Sequence, residues 1–525
     1  MFFGGQLRGS YEVRLDLVSS HFRHSPEQIR ALYTQVLRRK GHWMEMLGAS
    51  QTSQLGTRYP HLKDKLARML QLGRQISGKA FTGPGLEGLK MYQRFLSAWQ
   101  QEREQLEEEL AHDIPEIATE RKLRKVQTED LVQTLPQDSV LVEIVHYRRA
   151  GVNPTAHYAA FVIDAEKSDP ATLIDLGAAD EIDKLVAAYR TALTSTQRSA
   201  KTVEVIRKAG EKLRRAVWDT IAPGVKDARR VVLALEGELS HVPFETLPTA
   251  GDEYLIDRFQ FQYVTSGRDL LRDEPSLTNP GKPIVIERDE EHLGGPQQSL
   301  WRRFLNWLGI LDDQQSQPED LQSDRRSVAE QVAELLQGEH WKDQGASKTR
   351  LSKVESPKWL HLAVPCVFQG NGLNALKRTK PTSSDNSPPP TMKNLMSSSG
   401  VVLAGTGVDG RSIVTYQDIE SLDLRQTDLT VLPCCDTSSK DTCSGDHVLA
   451  LQNAFRQAGT KALVMTLWQV SDSTAEAIAL SLYRDVLNGR PPAQALREAQ
   501  LASKALGIDV RDWGAWICQV GNGAV

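Results

Sequence analysis

The feature that most constrains this chain is a recurring alternation of apolar runs and helical segments. SVLVEIVHYRR, HYAAFVIDAE, RRVVLALEG, QFQYVTS, KPIVIER, KWLHLAV, GVVLAG, DLTVLPCC and KALVMTLW are short, rich in β-branched residues, and bounded by Gly, Pro or Asp. Runs of that length and composition read as strands. Many are apolar at successive positions, as strands buried on both faces are. Between them EIDKLVAAYRTAL, RSVAEQVAELL, HVLALQNAFRQAG and STAEAIALSLYRDVLNG repeat apolar residues at helical spacing. Strands alternating with helices predict an α/β fold, a mostly parallel sheet flanked by helices. At 525 residues the chain also exceeds what one core supports, which predicts several domains.

Residues 1 to about 130 carry no such runs and read as helix. SPEQIRALYTQVLRRKGHWMEML opens on Ser25-Pro26, an N-cap followed by a first-turn proline, with Leu32, Val36 and Leu37 at helical spacing. YQRFLSAWQQEREQLEEELAHDI places Phe95, Trp99, Leu106 and Leu110 on one stripe. Such stripes predict antiparallel helix packing. No internal period marks a repeat array here. The segment 369–399, rich in Pro, Ser and Asn, reads as a mobile loop.

Charge and composition exclude several classes. The net charge is −4, and no basic block marks a nucleic-acid surface. No stretch approaches the roughly 18 apolar residues of a membrane span. The start, MFFGGQLRGSYEVRLD, lacks the apolar core of a secretion signal. Five cysteines do not form a disulfide framework and point to a reducing, cytoplasmic location.

Three motifs could carry chemistry. GTGVDG at 405–410 matches a dinucleotide fingerprint, but the strand-like RSIVTYQDI follows where a helix is needed, so the glycines predict a hairpin turn. Cys434, Cys435, Cys443 and His447 form a local cluster of zinc-ligand types, although adjacent cysteines ligate one ion awkwardly. A cysteine at the carboxyl edge of a parallel strand could instead be a nucleophile, given a nearby histidine. His361 lies inside the strand WLHLAV, where histidines are more often structural, and Pro365 occupies the better-placed strand end.

ALEGELSHVPFETLP, YLIDRFQFQYVTS, DLTVLPCCDTSS, LQNAFRQAGTKALVMTLWQVSDSTAEAIALSLYRDVLNGRPPAQALREAQ and DWGAWICQVG follow one another in the order typical of CHAT domains. The chain from about 130 to 525 resembles that caspase-like, clan CD family of cysteine-peptidase-type domains, often fused to tetratricopeptide repeats. The helical N-terminal part is similar to the segment joining the repeats to such domains. The resemblance implies a cysteine endopeptidase, usually switched on by a partner. The family's nucleophile motif, like L-S-A-C-E-T-G, is matched by L-P-C-C-D-T-S, which places Cys435 at the nucleophile position. Its base motif, like H-x-A-T-H-G, is matched by His361-Leu362-Ala363-Val364-Pro365-Cys366. The first histidine is kept; the catalytic one is Pro365, and the glycine is Cys366. Proline has no titratable group, so it cannot take the thiol proton.

These readings predict a helical segment over 1–130 (a remnant of a repeat array and linker), a non-catalytic caspase-like half over 131–275, and a second caspase-like half carrying the cysteine over 276–525. The function expected is that of a CHAT-domain protein, weak or inactive as a peptidase (a pseudoprotease), acting as a regulatory or protein-interaction module. Two alternatives stay open: a working cysteine endopeptidase in which Cys435 recruits another base, with His361 as a poor substitute, and a zinc-stabilised binding protein. The expected partners are a protein or peptide, including an activating or regulatory protein, with neither nucleic acid nor membrane. No cofactor and no resident metal are expected.

Overall fold

The structure, a computed structural model, describes residues 13–21, 25–47, 55–56, 58–85, 88–149, 154–195, 197–272, 280–287, 327–342, 345–364, 366–367, 400–404, 411–433 and 445–521. The chain forms two compact units, Met1–Asp180 with Ser266–Pro275 and Glu181–Thr265 with Ser276–Val525.

The first unit is helical until strand β1. The helix Pro26–Leu47 starts where Ser25-Pro26 predicts, and it buries Leu32, Val36 and Leu37. Lys63–Thr82 and Gly88–Asp113 form an antiparallel hairpin, fastened by ion pairs from Lys65 to Glu109 and from Arg68 to Glu102. Pro115–Arg124 and Thr128–Thr134 follow. Then β1 (Ser139–Arg148), β2 (Ala156–Asp164) and β3 (Ala171–Ala178) make an antiparallel meander, in the order β3-β2-β1. Their connections are too short for the crossover that parallel strands need. Glu143 on β1 is wholly buried and accepts hydrogen bonds from Tyr33 Oη (2.7 Å) and Gly267 N (3.1 Å). A side chain at Gly267 would collide with Tyr33 Oη and Leu141 Cδ2, so glycine is required there.

The second unit holds the mostly parallel sheet. Its strands are β4 (Arg230–Ala234), β5 (Gln260–Val264), β6 (Ile284–Glu287), β7 (Glu339–Lys342), β8 (Trp359–Ala363), β9 (Cys366–Val367), β10 (Gly400–Ala404), β11 (Arg411–Thr415), β12 (Leu429–Leu432), β13 (Ala462–Thr466) and β14 (Trp516–Val520). The main sheet orders them β4-β5-β14-β13-β12-β8-β6-β7. All neighbours are parallel except β13 and β14. Two parallel blocks therefore meet head to tail. The carboxyl ends of β13, β12, β8, β6 and β7 share an edge with the amino ends of β4, β5 and β14.

Helices flanking the sheet include the crossovers Val328–Leu336 and Gly445–Ala458, and Asp472–Leu487 and Pro492–Ala505 between antiparallel β13 and β14. They cover strands that are almost entirely buried, which is why the strand sequences are continuously apolar. A smaller sheet, β11-β10-β9, is antiparallel; β10 and β11 pair from Gly400 with Thr415 to Ala404 with Arg411. GTGVDG thus lies between two paired strands, as a hairpin requires, although 405–410 themselves lie outside the described residues, as does the segment read as a loop at 369–399. Among the described residues no helix is long and apolar enough to cross a membrane.

The ELSHVPFE stretch anchors β4 to β5. Gly237 adopts a φ of 63°, a left-handed conformation that suits glycine, and a short 3-10 turn runs to His241. Phe244 follows in a second such turn and is 1% exposed. Its ring packs in an aromatic cluster with Trp218 (centroids 6.1 Å apart) and Phe261 (6.5 Å). This stretch is a packing anchor.

Candidate active site

The edge that carries the candidate site is built by β8, β12 and β13. The register pairs Val431 of β12 with His361 of β8 on one side and with Val464 of β13 on the other. β8 ends at Ala363, and Val364 beyond it is still buried. β12 ends at Leu432, followed by half-buried Pro433. Pro365 and Cys435 lie outside the described residues, and so do Cys434 and Cys443; His447 sits in the helix Gly445–Ala458 with its side chain outside them. Past Pro365 the backbone resumes as β9, where Cys366 pairs with Val401 of β10.

His361 is 1% exposed. Its Nδ1 shares a 3.2 Å hydrogen bond with Tyr483 Oη on the helix Asp472–Leu487, and the two rings are 5.8 Å apart. Nε2 has no hydrogen-bond partner among the described residues. Burial lowers its pKa to about 3, so the ring is neutral at physiological pH. The side chain is spent on packing against a helix on the face of the sheet.

A stability consequence follows. In the unfolded chain this histidine takes a proton near pH 6.5; in the fold it resists until about pH 3. The contribution is present above pH 6.5 and is lost as pH falls toward 3. At pH 5 the loss from this one group is roughly 2 kcal/mol. His361→Gln should therefore flatten the fall in denaturation midpoint between pH 6.5 and 4, and an unchanged acid limb would contradict the burial described.

Three groups at or near the sheet were not singled out in the sequence. Glu245, of the Pro-Phe-Glu stretch, is buried; burial raises its pKa to about 7, and the Tyr263 hydroxyl donates to its Oε2 at 2.6 Å. Phe244 N in turn donates to Tyr263 Oη at 2.9 Å. At the β13–β14 end of the candidate edge, Trp468 Nε1 donates to the Arg511 carbonyl at 2.7 Å. Arg511, 3% exposed, donates to the carbonyls of Ser195 and Gln197. Beside it Arg198 grips buried Asp512 with two nitrogens, at 2.5 and 2.9 Å. These ties fix Ser195, Gln197 and Arg198 against Val510–Trp513. The DWGAW motif was the available signal, but its partners are remote in sequence.

Residues 207–519 match the family model of the CHAT domain. The match takes in more than half of the chain, and the chain belongs to the CHAT-domain family. Among curated proteins, tetratricopeptide repeat protein 28 of Homo sapiens is 26% identical over 290 residues, which is 52% of this chain and 11% of that protein. The protein of the same name from Mus musculus is 25% identical over 291 residues, with the same shares. The match thus spans only 11% of these relatives' length. Among solved structures, the Saccharomyces cerevisiae separase–securin complex at 3.0 Å resolution aligns with a TM-score of 0.38 and 9% identity, over 77% of this chain and 31% of that one. The same complex at 2.6 Å gives a TM-score of 0.36 and 8% identity, over 76% and 32%.

Proposed function

We propose that this CHAT-domain chain has a caspase-like, peptidase-type site of weak or no activity, and that it works as a regulatory or protein-interaction module, in the cytoplasm. The nucleophile position is Cys435 and the base position is Pro365. Register supports pairing these two positions. His361 and Val431 are level on neighbouring strands, and Pro365 and Cys435 each lie four residues further on.

The observation that carries the reading is the state of His361. It is the one histidine kept from the family's base motif, and it is buried, neutral and bound to Tyr483. Cys435 lies four residues beyond Val431, the residue paired with His361, and a proton acceptor must come within about 3 Å of the thiol it serves. With no base and no cation, a thiol keeps a pKa of about 8.5 and stays protonated at neutral pH. Loss of a coupled base costs several orders of magnitude in rate. The chain's partners would then be proteins or peptides that bind without being cut.

The test is the pH dependence of iodoacetamide alkylation at Cys435, located by peptide mapping in a Cys434→Ala background. The expected midpoint is about 8.5. A midpoint near 6 would reveal an unassigned base or cation and replace this reading with that of a working endopeptidase.

A further inference from the structure

The helical hairpin of the first unit does not use all of its apolar surface. Leu110, near the base of the helix Gly88–Asp113, is wholly buried. Toward the tip, however, Phe95 is 39% exposed, Met91 40% and Leu89 61%. Met91, Phe95 and Ala98 fall at i, i+4 and i+7, so they form one stripe along the helix. Phe95 is held in place by stacking on Trp99, with centroids 5.9 Å apart and planes 22° from parallel. Exposed Lys90 and Arg94, themselves i and i+4, run alongside the stripe as a basic row.

The charges of the hairpin are unevenly spent. Toward the base several acids are paired: Glu109 with Lys65, Glu102 with Arg68, and Glu107 with both Arg103 and Arg124. At the tip Arg74, Lys90 and Arg94 have no acidic partner among the described residues. An apolar stripe beside uncompensated bases complements an acidic helix with apolar anchors.

We infer that the Met91–Phe95–Ala98 stripe, with Lys90 and Arg94, is a docking site for an acidic amphipathic helix of a protein partner. A second copy fits less well, because matching stripes would oppose two basic rows, and like charges across an interface are costly. A bilayer fits less well too. The stripe is one side chain wide, between the basic row and half-buried Tyr92 and Leu96, which suits the i, i+4, i+7 anchors of a helix better than a plane. The site stands apart from Cys435 and does not depend on its reactivity.

The probe is a fluorescein-labelled helical peptide with leucines at i, i+4 and i+7 and glutamates elsewhere, titrated by anisotropy against the full chain. Saturable binding is expected. It should weaken at least about tenfold in Met91→Ala with Phe95→Ala, and as much in Lys90→Glu with Arg94→Glu, which should also lose its salt dependence. Circular dichroism melting of Lys90→Glu with Arg94→Glu should match the parent, because these two side chains are exposed; Met91→Ala with Phe95→Ala gives up the Phe95–Trp99 stack and is compared at a temperature below its own melt. The same peptide with lysines in place of glutamates should not bind. Absence of saturable binding, or binding indifferent to both variants, overturns the proposal. So does a phenotype of either variant confined to self-association in sedimentation velocity, or to flotation with phosphatidylserine vesicles, since the stripe would then belong to a second copy or an anionic surface.

Discussion

Phe244→Ala should lower the stability of the second unit by roughly 3–5 kcal/mol, read from the urea midpoint. Phe244 is 1% exposed and sits among Trp218, Phe259 and Phe261, whose rings meet largely edge to face. Truncation removes the ring from that cluster and leaves a cavity between close-packed groups. The flanks have little freedom to collapse into it. Phe244 N is fixed to Tyr263 Oη, Thr246 Oγ1 donates to the Pro243 carbonyl at 2.7 Å, and the Tyr189 hydroxyl donates to Thr246. Moving the backbone inward would break this network, which also holds Glu245. A loss below about 1 kcal/mol would mean that the turn relaxes, and that the Pro-Phe-Glu stretch is not the anchor described.

The α/β alternation was legible because period and burial agree. β8, β12 and β13 are buried on both faces, so their apolar runs are unbroken and easy to see. β7 was not legible: Glu339, His340 and Lys342 make an edge strand, open on one side, where polar residues cost little. β3 was missed for a similar reason, since it alternates buried with exposed and half-buried positions and carries Asp175. The helical stripe of 95–110 was read as one packing face. Its lower part is that, but Phe95 is left 39% exposed. Periodicity locates a face and does not say what covers it.

Less of the site was legible. Sequence alignment with the family's motifs could name Cys435, Pro365 and His361, but it could not say where the ring of His361 points. That depends on Tyr483, more than a hundred residues away and on another element. Glu245 was visible only as part of a hallmark stretch. Its raised pKa arises from burial beneath neighbours that come together only in the fold, and no local pattern announces burial of a carboxylate.

If the site has lost only its base, Pro365→His should accelerate alkylation of Cys435 near pH 6.5, where an ordinary thiol is about 1% ionised. The ground is that 365 and 435 each follow a residue of the paired His361 and Val431 by four positions. An imidazole there could form an ion pair with the thiolate, lower its pKa and raise the rate by about tenfold or more. The family motif would add Cys366→Gly, but the fold argues for measuring the single and double variants separately. Cys366 is in β9, paired with Val401, so the chain joins the smaller sheet immediately after Pro365. Glycine weakens a strand, yet it also frees the turn that would let the new ring face Cys435. If the double variant alone is activated, strand pairing at 366 is what holds the position away from the thiol. If the single variant is activated, proline was the sole obstacle. If neither changes the rate at pH 6.5 while both keep the parent's unfolding midpoint, positions 365 and 435 do not face each other and the pairing of nucleophile with base is wrong. Peptide cleavage is a separate matter, because activating a thiol restores neither a substrate groove nor a partner; the alkylation rate therefore isolates the one property that a single histidine can return.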